Sequence, residues 1–210
     1  MILFDGCSWT YGDELINRET DRFSSLISKE SANISYCGKS NDAILRTTID
    51  YCENNHVDFA VIQFTVYSRT EYRSEYSDAY DIIQIKSEKE LSKIYYENIQ
   101  NNTNDFANYH KNKFLLENYF KTKGIKYYFV NLERSRDQYE DITKSSWYNL
   151  MDKTPVVSLR ELIGDNHEYP EHYVQDKRFS GKYNLPKGWR GGHPNKKGHQ
   201  IIANHILEKL

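Results

Sequence analysis

One segment constrains the fold more than any other: Phe59-Ala60-Val61-Ile62-Gln63-Phe64, five apolar residues in six, with helical patterns on both sides. A run so short and so uniformly apolar fits a strand covered on both faces. Such strands belong to parallel sheets, whose crossovers lay helices above and below. The rest of the chain repeats the pattern. Residues 2–4 form an apolar strand, followed by a helical pattern over about residues 13–29. Residues 33–36 read as strand two. Residues 40–54 read as a helix with Ile44, Leu45, Thr48, Ile49 and Cys52 on one face. A long helix over about residues 91–122, broken near Asn101-Asn102-Thr103-Asn104, ends at Gly124 before a fourth strand at 125–130. Residues 155–159 read as strand five and 195–210 as a closing helix.

This order predicts an α/β protein, a three-layer α/β/α sandwich around a flavodoxin-like parallel sheet of about five strands ordered 2-1-3-4-5. The 210 residues are expected to form one domain, with a tyrosine-rich, lid-like insertion at about residues 66–90 and an irregular loop at about 165–192. With 38% hydrophobic residues but 18 tyrosines, much of the burial falls to aromatic rings. A net charge of -2 argues against nucleic-acid binding. No apolar run approaches the roughly 18 residues of a membrane span. A chain that opens on a core strand leaves no signal peptide, so a cytoplasmic or virion-interior location is expected. Cys7, Cys37 and Cys52 are odd in number and form no CxxC pair, which favours free thiols.

In open parallel sheets, ligands bind beyond the carboxyl ends of the strands. Ser8, Gly38 and Thr65 follow strands one, two and three, so three distant turns converge on one rim. Ser8 sits in Phe4-Asp5-Gly6-Cys7-Ser8-Trp9-Thr10-Tyr11-Gly12, a strand-to-helix turn that suits a nucleophile with N–H groups beside it. The plainer alternative is a helix-capping serine. His193, in Gly192-His193-Pro194, is either the matching base or a simple helix entry with Pro194 in the first turn. Arg69 is either a clamp for a substrate anion or half of an ion pair holding the insertion down, with Glu71 close by. Trp189, near His193, and Tyr67, Tyr72, Tyr76 and Tyr80 of the insertion suit stacking on a sugar, or packing beneath a loop.

These blocks, in this order, resemble the SGNH/GDSL hydrolase family, in the divergent form common among proteins of bacterial viruses. Gly6-Cys7-Ser8-Trp9-Thr10 stands where the family has Gly-Asp-Ser-Leu-Thr. Gly38-Lys39-Ser40-Asn41-Asp42 is similar to the second block, and His193-Pro194 with Gly198-His199 to the last. The resemblance implies acyl transfer, with Ser8 as nucleophile, His193 as base, and the N–H groups of Ser8 and Gly38 as oxyanion donors. Its implied substrate is a small ester or an acylated sugar. Two positions depart from the family. Arg190 stands where an aspartate normally orients the histidine, which leaves Asp165, Asp176 or a backbone carbonyl to do so, or the ring without an orienting group. No asparagine follows strand three, which leaves Thr65, Ser68 or Asn41 as further oxyanion donors.

Other signals carry less. Gly38-Lys39-Ser40 lacks the upstream glycine of a phosphate-binding loop. His193, His199 and His205 recur at a spacing that scatters them around a helix, and His167 and His172 match no zinc pattern, so neither a metal nor a cofactor is expected. Two alternatives to the esterase or deacetylase stay open: a binding or structural module on the same fold with a decayed site, and a small-anion binder using the Ser8 and Gly38 turns.

Overall fold

A computed structural model describes residues 1–73, 80–84, 89–133, 144, 146, 148–151, 156–164, 168–174 and 192–210. Five strands, β1 (Ile2–Asp5), β2 (Ala32–Asn33), β3 (Phe59–Phe64), β6 (Lys126–Asn131) and β7 (Val157–Ser158), form one sheet. Their order is β2-β1-β3-β6-β7 and every pairing is parallel. Counted along this sheet alone, that is the expected order 2-1-3-4-5.

Alternation along each strand divides the core in two. Phe4, Val61 and Val130 face one side, where α3 (Phe23–Ile27), α7 (Leu159–Ile163) and α8 (Lys196–Leu207) pack. Leu3, Ala60, Ile62 and Phe129 face the other, beneath α4 (Asn41–Asn54) and α6 (Asn102–Lys123). Ser40 caps α4 by accepting from the Ala43 N–H at 3.1 Å, and α6 ends at left-handed Gly124. No helix among the described residues is long and apolar enough to cross a membrane.

Several elements differ from the sequence reading. Residues 13–29 are not one helix. A single turn, α1 (Ser8–Tyr11), stops at Gly12 with φ 80°, and after a loop the chain forms α2 (Arg18–Asp21) and α3, separated by extended Arg22. Strand two is shorter and earlier than expected. The Asn33 side chain donates to Thr10 O (2.9 Å) and Ser24 Oγ (2.8 Å) and accepts from the Ser35 N–H, which turns the chain out of the sheet. The long helix divides into α5 (Glu90–Asn98) and α6, because Asn101 is extended and caps α6 through the Asn104 N–H. The segment read as a tyrosine-rich, lid-like insertion contains an antiparallel pair of strands, β4 (Thr70–Arg73) and β5 (Tyr80–Ile83). Of the loop expected at 165–192, only residues 168–174 and 192 are described.

Candidate active site

β1 delivers the chain to the carboxyl edge of the sheet, and Gly6-Cys7 turns it directly into α1. Gly6 has no room for a side chain, since a Cβ would lie 2.5 Å from Thr10 Oγ1 and 2.8 Å from Gln63 Cβ. That close approach lets Gln63, on β3, brace the turn. Its Oε1 accepts from the Cys7 N–H (3.2 Å) and Thr10 Oγ1 (2.9 Å), while Nε2 donates to Phe64 O (2.9 Å). Ser8 therefore opens α1 from a buried, braced turn.

The turn bearing His193 is held from several sides. Trp9, the neighbour of Ser8, donates its indole N–H to Gly192 O at 3.1 Å. The Val174 N–H donates to His193 O at 3.0 Å, and Tyr173 bridges to Pro194. Asn195 caps α8 by accepting from the Lys197 and Gly198 N–H groups, while its Nδ2 donates to Glu171 O and Tyr173 O. Gly198 lets the strap approach, for a Cβ there would lie 2.5 Å from His172 O. These ties leave His193 Nε2 2.8 Å from Ser8 Oγ, although 185 positions separate the two residues.

Two carboxylates flank the imidazole. Glu14 Oε1 lies 3.2 Å from Nδ1, and Asp13 Oδ2 lies 3.8 Å from Nε2. Glu14 is the more buried, with 11% of its side chain exposed against 39% for Asp13. Its approach is oblique: among the described residues, neither His193 Nδ1 nor Glu14 Oε2 has an aligned hydrogen-bond partner. The Asp13 charge acts on the Cys37 thiol, which sets the Cys37-Gly38 turn near the same site. Burial first, and Asp13 second, push that thiol up to about 12, so it stays protonated and is no competing nucleophile.

Gly38 adopts φ 81°, the left-handed region that favours glycine. Among the described residues, nothing accepts from the backbone N–H of Ser8 or of Gly38. Asn41 is buried and engaged with the end of β3: Oδ1 accepts from the Thr65 N–H (2.8 Å) and Nδ2 donates to Thr65 O (3.4 Å). Thr65 Oγ1 accepts from Arg69 Nη1 at 3.0 Å. The ion pair that Arg69 was expected to form does not involve Glu71. Glu71 instead receives two hydrogen bonds from Arg46, at 3.0 and 2.9 Å, which tie the hairpin to α4. Trp189, Arg190, Asp165, Asp176, Tyr76 and His167 lie outside the described residues.

His199, in the same turn of sequence, serves packing. It is buried, stacks on Phe23 and accepts from the Phe23 N–H at 3.2 Å through Nδ1, and burial lowers its pKa to about 3. Among the described residues, no group of three or more His, Cys, Asp or Glu side chains is placed to hold a metal ion. Sequence reasoning passed over Glu14, Asp13, Gln63 and Trp9. The one available signal was Gly12, a helix stop placed just before the two carboxylates.

Comparison with solved structures identifies the architecture. A protein assigned to the G-D-S-L lipolytic family of Desulfitobacterium hafniense matches with a TM-score of 0.56 at 12% identity, over 100% of this chain and 98% of that one. A GDSL-like lipase of Bacteroides thetaiotaomicron matches with a TM-score of 0.53 at 15% identity, over 99% of this chain and 87% of the other. The chain has the fold of the G-D-S-L lipolytic proteins. No family model and no curated protein matches the sequence itself. At such identities the likeness is one of fold, and chemistry has to be argued from the site.

Proposed function

We propose that this protein is a serine hydrolase that cleaves a small ester or O-acyl group. The observation that carries this reading is the 2.8 Å contact between Ser8 Oγ and His193 Nε2 at the carboxyl edge of the sheet. Ser8 Oγ attacks the acyl carbonyl carbon as its proton passes to His193 Nε2. The oxyanion that forms is met by the N–H groups of Ser8 and Gly38, and losing one such donor typically costs about 3 kcal/mol of transition-state stabilisation. The tetrahedral intermediate expels the alcohol, which takes the proton from His193. Water then attacks the acyl-Ser8 ester with His193 as base, releasing the acid and restoring the hydroxyl.

Thr65, held by Asn41 and bonded to Arg69, is assigned to the acyl side of the site as part of this proposal. Acylated sugars are candidate substrates as the family resemblance implies. A hollow of about 420 Å³ between the hairpin, α5 and α6 is lined by Tyr67, Tyr72, Tyr80 and Tyr95 together with Asp42 and Asn108. Ser8, Gly38 and His193 do not line this hollow, and Arg46 covers the Tyr80 ring at 3.8 Å.

The test is turnover of p-nitrophenyl acetate by the wild-type protein and by Ser8→Ala and His193→Ala. Ser8→Ala is expected to reduce the rate to the uncatalysed background, and His193→Ala to lower it by about 100-fold or more. Folded wild-type protein that turns over neither this ester nor acetylated sugars would count against the reading.

A further inference from the structure

We propose that Glu14 replaces the missing aspartate of the triad, acting as the positioning residue that holds His193 with its proton on Nδ1; the inference rests on the serine-hydrolase reading above. For Nε2 to accept the Ser8 proton it must present a lone pair, so the ring proton must reside on Nδ1. Glu14 Oε1, 3.2 Å from Nδ1, is the carboxylate oxygen placed to accept from it. Asp13 faces the other nitrogen and by itself would favour the opposite tautomer. Glu14 prevails on two counts: its distance is shorter and its surroundings are drier.

The backbone supports the assignment independently. Glu14 has φ 67°, and no other non-glycine residue among those described has a positive φ. A glutamate held in the left-handed region is strained, and such strain persists where the surroundings enforce it, commonly at active sites. Here its consequence is visible. α1 stops at Gly12, the Asp13 N–H donates back to Ser8 O at 2.9 Å, and the reversal at Glu14 carries its side chain under the imidazole. One tight turn thus supplies both the nucleophile and the acid. The oblique approach, with Nδ1 and Glu14 Oε2 both lacking aligned partners among the described residues, matches the loose hydrogen bonds of unliganded catalytic sites.

Three Glu14 variants, one assignment variant and two readouts test this. ¹⁵N spectra of histidine-labelled protein at mildly alkaline pH, with His193→Gln to assign the ring, report the tautomer directly. Fluorophosphonate labelling rates report nucleophile activation. The wild type is expected to show the Nδ1-protonated form, and Glu14→Gln and Glu14→Gly a loss of that preference with labelling slowed about 100-fold or more. Glu14→Asp should fall between wild type and Glu14→Gln. Glu14→Gly guards against misfolding, since glycine accepts φ 67° without strain and the variant should melt no lower than the wild type. An unchanged tautomer or an unchanged labelling rate in both carboxylate-free variants would overturn the assignment, as would Glu14→Asp no faster than Glu14→Gln. If the wild type is never labelled, the hydrolase reading fails instead, and the nitrogen spectra still decide for or against Glu14.

Discussion

Gly6 shows how little space surrounds the turn that carries Ser8. A methyl group there would press on Thr10 Oγ1 and on Gln63, the residue that holds the Cys7 N–H. Gly6→Ala is therefore expected to destabilise the protein by about 1–3 kcal/mol in urea melts, and to lower esterase activity in the fraction that remains folded. Ser8 and His193 could be read from sequence because each sits in a short block at a strand or helix end, where the topology dictates the rim it reaches. Glu14 could not. Its place beside the imidazole depends on a left-handed backbone that glutamate rarely adopts, in a stretch whose apolar spacing reads as helix. Trp9 was equally silent, because an indole that donates to Gly192 O looks in sequence like any core aromatic.

Between elements, the decisive tie is buried. Lys39, in the turn before α4, donates to Asp5 at the end of β1, and both side chains are wholly inaccessible. Asp5 also accepts from Thr47 Oγ1 (2.8 Å) and Thr48 Oγ1 (2.9 Å) of α4, and from the Gly6 N–H (2.7 Å). Burial drives the Asp5 pKa up and that of Lys39 down, and their mutual attraction opposes both shifts. The pair joins the Gly38 turn to the strand that delivers Ser8. Lys39→Met strands the carboxylate and should cost about 3–5 kcal/mol by urea denaturation. Asp5→Asn with Lys39→Met should recover part of that loss; a double variant as unstable as the single one would contradict the account. The sequence reading located β3, α4 and α6 well, since apolar runs and capping residues mark them. It missed the hairpin because Thr70–Arg73 is polar and half-buried, and Tyr80–Ile83 is too short for its two isoleucines to mark a strand.

Taken as a molecule, the sandwich stores two neutral histidines. Burial lowers the pKa of His110 to about 4 and of His199 to about 3, against an ordinary 6.5. The unfolded chain thus binds protons that the folded chain refuses, so this contribution is complete above pH 6.5 and declines as the pH falls below it. Each group gives a slope of about 1.4 kcal/mol per pH unit within its window. His110 packs against Phe106, Tyr109 and Tyr148, and among the described residues neither ring nitrogen has a hydrogen-bond partner. His110→Phe should therefore flatten the acid decline by about that slope, read as urea midpoints between pH 6.5 and 4.5; an unchanged profile would contradict it. The same layered packing brings the two ends of the chain together at one rim, and the account turns on that meeting. Peptide mapping after fluorophosphonate treatment tests it most directly. The account predicts one adduct, on Ser8, absent from Ser8→Ala and slow to form in His193→Ala. An adduct on another residue, or a folded protein left unmodified, would contradict it.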